Sequence, residues 1–126
     1  MKKIVIADDN TVSRELIREV LGPENYEIVE ACNGQQALEK VTETNPDLVL
    51  LDIQMPALDG YQVVEMLRRD PRFGGVPVVA LTAFAMRGDQ EQALASGFDA
   101  YITKPIKASL LRKEVQRLLG KAPAQA

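Results

Sequence analysis

Leu48-Val49-Leu50-Leu51-Asp52 is the stretch that decides the fold, four consecutive apolar residues closed by a carboxylate. A strand with one face in water alternates apolar and polar residues, whereas a strand covered on both faces reads as an unbroken apolar run. Ile4-Val5-Ile6-Ala7, Val78-Val79-Ala80-Leu81 and Tyr101-Ile102 have the same character. Tyr26-Glu27-Ile28-Val29-Glu30-Ala31 alternates instead and has the pattern of an edge strand. Between these five runs lie segments of helical period, about 12–21, 34–44, 60–69, 86–96 and from Ala108 onward. Gly22-Pro23, Asn45-Pro46 and Gly97 supply the stops of the first, second and fourth. Helical spacing puts Ala37, Leu38 and Val41 on one inner face and Val63, Val64, Met66 and Leu67 on the next. The last inner face takes Leu110, Leu111, Val115, Leu118 and Leu119.

Strands alternating with helices through short loops give a doubly wound α/β fold with right-handed crossovers. One alternating strand among four apolar ones favours a five-stranded parallel sheet in the flavodoxin-like order 2-1-3-4-5, the second strand outermost. The chain has 126 residues, 46% of them hydrophobic, enough for one core. Residues 1–120 are expected to form that domain, and 121–126 a flexible tail or the first residues of a linker. A formal net charge of −3, with acids and bases interspersed, leaves no footprint for nucleic acid and no polybasic patch for a membrane. The apolar runs are too short to span a bilayer or to form a signal-peptide core. Cys32 is the sole cysteine and is expected as a small buried hydrophobe, so a reducing cytoplasmic setting fits. With no histidine, imidazole metal sites and His-based triads are excluded.

Each apolar strand is closed by polar residues that carry chemistry: Asp8-Asp9, Asp52, Thr82 and Lys104-Pro105. In a parallel sheet these ends share one edge, the edge at which such folds bind ligands. Two unit charges ~4 Å apart repel by roughly 4 kcal/mol at an effective dielectric of 20, so three clustered carboxylates need protons or a cation. An all-oxygen donor set suits Mg2+. A metal, the Lys104 ammonium and the Thr82 hydroxyl are the groups that hold phosphoryl oxygens during transfer, with Asp52 as the nucleophile. Each residue also has a plainer reading. Asp8, Asp9 or Asn10 could cap the first helix, Thr82 could be a strand-end hydroxyl, and Lys104 a solvated loop lysine. Asp59-Gly60 has the form of a turn.

Taken in order, Asp8-Asp9, Asp52-Ile53-Gln54-Met55-Pro56-Ala57-Leu58-Asp59-Gly60, Leu81-Thr82-Ala83 and Tyr101-Ile102-Thr103-Lys104-Pro105 resemble the receiver domain of two-component response regulators, from Lys3 to about Leu119. The stretches 81–89 and 101–106 look like stand-alone receivers of the DivK type and receivers of hybrid kinases. The resemblance implies that Asp52 accepts a phosphoryl group from a phosphohistidine on a sensor histidine kinase or a histidine phosphotransfer protein. It implies Mg2+ held by Asp9 and Asp52, with Asp8 acting through water and the Gln54 backbone carbonyl as a further ligand. Lys104 would pair with the phosphoryl group, and the Lys104-Pro105 bond would be cis. Thr82 would move toward the phosphoryl oxygens, and Tyr101 would rotate inward behind it. The face formed by helix 4, strand 5 and helix 5 would then change for a downstream protein target. Gln54 and Phe84 would tune the lifetime of the phosphoryl group. Bulky Phe84 cannot orient a water, which predicts slow self-dephosphorylation. The expected assembly is a monomer or a weak phosphorylation-dependent dimer, with no output domain after Leu119.

Three other functions fit parts of the pattern. An aspartyl-phosphate phosphatase needs a second acid two residues after its nucleophile, and Gln54 occupies that place after Asp52. A flavodoxin-like cofactor binder needs a phosphate loop after the first strand, where Asp8-Asp9 would repel phosphate. A pseudo-receiver that docks without taking phosphate would be expected to lack some of these residues.

Overall fold

The computed structural model describes residues 1–83 and 88–124, with no account of the side chains beyond Gly120. Five strands, β1 (Lys3–Ala7), β2 (Glu27–Ala31), β3 (Leu48–Asp52), β4 (Val78–Thr82) and β5 (Ala100–Thr103), alternate with five helices. The helices are α1 (Thr11–Leu21), α2 (Gly34–Thr44), α3 (Gly60–Arg69), α4 (Asp89–Ser96) and α5 (Ala108–Ala124), and a 3-10 turn over Gly22–Glu24 follows α1. All neighbouring strands pair in parallel, in the order β2-β1-β3-β4-β5. The expected topology is the observed one.

Successive side chains of a strand point to opposite faces, and here both faces are covered. Val5, Ala7, Val49, Leu51, Val78 and Ala80 face a layer that includes Ala37 and Val41 of α2 and Val63, Val64 and Leu67 of α3. Ile4, Ile6, Leu48, Leu50, Val79 and Leu81 face Ile17, Val20 and Leu21 of α1 and Leu111, Val115 and Leu118 of α5. That double burial is why Ile4–Ala7, Leu48–Leu51 and Val78–Leu81 contain no polar residue. In β2, at the sheet edge, Glu27 is exposed and Glu30 only partly buried.

Side chains fix the helix starts. Asn10 accepts from the N–H groups of Val12 and Ser13, Asn33 from Gln36, and Asp59 forms a reciprocal capping box with Gln62. Each such cap contributes about 1 kcal/mol. Asp59 is therefore a helix cap rather than only a turn residue. Asn45, at φ 50°, ends α2, and Gly97, at φ 120°, ends α4.

Several expectations need correction. Met66 is 45% exposed and Leu110 40% exposed. Each lies about 100° around the helix from the centre of its neighbours' apolar stripe, so neither faces the core. Cys32 is exposed, just past the end of β2, with its thiol 3.1 Å from Gln36 Oε1. Helix α1 does stop at Gly22-Pro23 as expected, with Gly22 right-handed (φ −53°) and Asn25 the left-handed residue after it. Helix α4 is counted from Asp89, because Gly88 before it has φ 90°; the expected start at Met86 lies outside the described residues. Helix α5 runs to Ala124, through the first four residues of the stretch expected as a tail. No helix among the described residues is long and apolar enough to cross a membrane.

Candidate functional site

The strand register brings the polar ends together. Ala7 pairs with Leu51, Asp52 with Leu81, and Thr82 with Thr103. Asp8 therefore leaves β1 beside Asp52, and Lys104 follows β5 beside Thr82. Asp8 (0% exposed), Asp52 (4%) and Thr82 (3%) are the buried polar residues among those described, and all three lie on this edge. Their burial follows from the chain on either side, since Ala7, Leu51, Ile53 and Leu81 are all core residues.

Lys104 closes the cluster. Its Nζ donates to Asp52 Oδ2 at 3.1 Å and lies 2.7 Å from Asp8 Oδ2. Its backbone N–H donates to the Thr82 carbonyl at 2.7 Å, and the Lys104-Pro105 peptide is cis. The Gln54 N–H donates to Asp52 Oδ1 at 3.1 Å, and the Asn10 N–H to Asp8 Oδ1 at 2.9 Å. Asp8 Oδ2 is fully buried and, despite its charge contact with Lys104, accepts no well-directed hydrogen bond. Burial, then the charge of Asp8, pushes the Asp52 carboxyl up to about 6, against the opposing pull of Gln54 and Lys104. Burial works against the Lys104 ammonium, but its contacts with Asp8 and Asp52 prevail and hold its pKa above the ordinary value.

Asp8, Asp9 and Asp52 can each offer an oxygen within 4.8 Å of the others, Asp9 from the exposed side. A buried carboxylate oxygen in an all-oxygen cluster, here met by the Lys104 ammonium, is the donor chemistry of a hard divalent cation. These residues fit Mg2+. Tyr101 sits half-buried on β5 against the α2/α3-side core, and burial followed by the Asp89 charge raises its pKa. Gln54 is exposed at the rim. Phe84 lies outside the described residues.

Two glycines make close backbone approaches that sequence reasoning does not anticipate, Gly60 reading as part of a turn and Gly34 only as a helix start. A Cβ on Gly60 would lie 2.7 Å from the Asp52 carbonyl oxygen and 2.7 Å from Ile53 Cα. One on Gly34 would overlap the Leu58 carbonyl oxygen. Helices α2 and α3 thus begin in direct contact with the loop that follows β3. The signal in the sequence was a glycine at the first position of each helix, behind an Asn or Asp cap. Such a position does not need positive φ, so a close backbone approach is the remaining reason for glycine.

Comparison with known proteins agrees with this geometry. A family model described as response regulator receiver domain matches residues 4–116. The polar-differentiation response regulator DivK of Brucella anthropi is 38% identical over 121 residues, covering 96% of this chain and 98% of that protein. The receiver domain of a signal transduction histidine kinase from Syntrophus aciditrophicus superposes with a TM-score of 0.89 at 32% identity, over 98% of this chain and 93% of that one. The receiver domain of a sensor histidine kinase from Pseudomonas aeruginosa PAO1 gives 0.86 at 33% identity, over 94% and 98%. In that structure a magnesium ion is coordinated in the active-site cleft.

Proposed function

The chain belongs to the response regulator receiver domain family, and from that premise we propose that Asp52 is its phosphoacceptor. Receiver domains act with a histidine kinase and a downstream target. In this chain the donor would be a phosphohistidine on such a kinase or on a phosphotransfer protein. A carboxylate oxygen of Asp52 attacks phosphorus, the P–O bond forms as the P–N bond breaks, and the imidazole nitrogen keeps the bonding pair. The observation that carries this reading is the buried pair Asp52 and Asp8 closed by the partly buried Lys104, with Lys104 Nζ 3.1 Å from one carboxylate and 2.7 Å from the other.

Each residue has a task. Lys104 offers a compact charge that can pass from the carboxylates to the phosphoryl oxygens. Thr82 supplies a hydroxyl from the neighbouring strand end. Asp9 and Asp52 would ligate the cation directly, Asp8 through water, with the Gln54 carbonyl as a further ligand. Mg2+ held there would neutralise the charge on the transferring group. Movement of Thr82, followed by Tyr101, would alter the surface of α4, β5 and α5 that a partner reads. Gln54 and Phe84 would set a slow hydrolysis of the acyl phosphate.

Acetyl phosphate and Mg2+ with a phosphate-retarding gel test this. The wild type should shift, and Asp52→Ala should not. Removal of the donor should leave the shifted band decaying slowly, at a rate altered by Phe84→Ala. An unshifted wild type would mean a docking module that takes no phosphate.

A further inference from the structure

We propose that Arg14 is a positioning residue for the acidic end of β1, setting where Asp8 and Asp9 present oxygens to a divalent cation. The inference rests on the reading of that cluster as an Mg2+ site. The Arg14 side chain is only 15% exposed, although it belongs to a surface helix. Its Nη1 donates to the Asp8 backbone carbonyl, its Nε to Glu30 Oε1 at 2.9 Å, and its Nη2 reaches Thr11 Oγ1 at 3.4 Å. The Asp8 N–H donates to the Ala31 carbonyl at 3.1 Å. Both polar groups of the Asp8 backbone are therefore anchored to the end of β2, the N–H directly and the carbonyl through Arg14 and Glu30.

The consequence is geometric. A peptide unit is planar, so holding the Asp8 carbonyl fixes the plane that leads to Asp9. One metal-facing carboxylate precedes that plane and another follows it. The guanidinium suits the task because its rigid fork reaches two acceptors at once, which an ammonium on a flexible stem does not. Glu30 is the other half of the clamp. Hydrogen bonds from Arg18 and Arg14 outweigh its partial burial and keep it ionised below the usual carboxylate range. Arg18 Nε donates to Glu30 Oε2 at 2.7 Å, from the more exposed side of the same carboxylate.

Charge and geometry predict opposite outcomes here. Arg14 is a cation near a cation site, so on Coulomb grounds its removal should tighten Mg2+ binding. If it positions the ligands, its removal should weaken binding. Calorimetric titration of Mg2+ into the full chain separates the two, using wild type, Arg14→Ala, Arg14→Lys and Arg18→Ala, each checked for folding by circular dichroism. Arg14→Ala and Arg14→Lys should bind roughly tenfold or more weakly, as for other residues that orient a metal ligand. Arg18→Ala, which removes a surface ion pair to the same Glu30, should stay within about twofold. Wild-type or tighter binding by Arg14→Ala overturns the inference, and so does wild-type binding by Arg14→Lys, which keeps charge and loses the fork. If Arg14→Ala does not fold, Arg14→Lys carries the test. A wild type that binds no Mg2+ overturns the metal-site reading together with this one.

Discussion

Asp52 is ionised at neutral pH in a place that resists ionisation. Burial and the neighbouring Asp8 raise its pKa from 3.8 to about 6, so the folded chain holds this proton more tightly than the unfolded chain does. Stability from this group is therefore fully present below about pH 4 and is lost as the pH rises through about 6. The loss is roughly 3 kcal/mol at most. Asp52→Asn should accordingly stabilise the metal-free protein at pH 7.5, by about 1–3 kcal/mol in urea unfolding with chelator present. At pH 5, where the wild-type carboxyl is largely protonated, the gain should shrink. An equal gain at both pH values would mean that burial of the charge is not what strains the site. A carboxylate held in this state is stabilised by whatever neutralises it, which would join stability to the proposed acceptor role at one side chain.

Elements place that side chain through contacts shorter than the sequence pattern conveys. Helix α3 starts at Gly60, whose N–H donates to the Ile53 carbonyl at 2.7 Å. A methyl group there would sit 2.7 Å from backbone atoms of Asp52 and Ile53, which cannot swing aside as a side chain would. Gly60→Ala should cost about 1–3 kcal/mol in urea unfolding, as overpacking generally does. It should also slow phosphorylation by acetyl phosphate, because relief of the clash displaces the end of β3 that carries Asp52. Wild-type stability and rate would show that the loop yields freely. Periodicity identified both faces of α3 and α5 but was too generous at Met66 and Leu110, since a stripe has edges that a residue count does not mark. The alternation of β2 correctly marked an edge strand. It did not show that Glu30, which reads as a solvated edge residue, would clamp Arg14 against Asp8.

On the scale of the molecule, the sheet concentrates charge at one end of an apolar interior. Mg2+ that binds the folded chain alone should raise its stability by about 2.7 kcal/mol at a concentration a hundredfold above Kd. Thermal unfolding with and without Mg2+ should show this gain at pH 7.5 and a smaller one at pH 5, where protons compete for Asp52. A gain independent of pH would place the ion elsewhere. The sequence by itself determined the doubly wound sheet, its strand order, and Asp8, Asp9, Asp52, Thr82 and Lys104 as the polar residues of one edge. Periodicity, strand composition and the residue after each strand are local signals, and a parallel sheet turns them into a shared edge. Only the tertiary structure decided the ion contacts of Lys104 with both buried carboxylates, the glycine approach to the Asp52 backbone, and the Arg14–Glu30 clamp. Those depend on distances between segments far apart in the chain, and packing sets such distances.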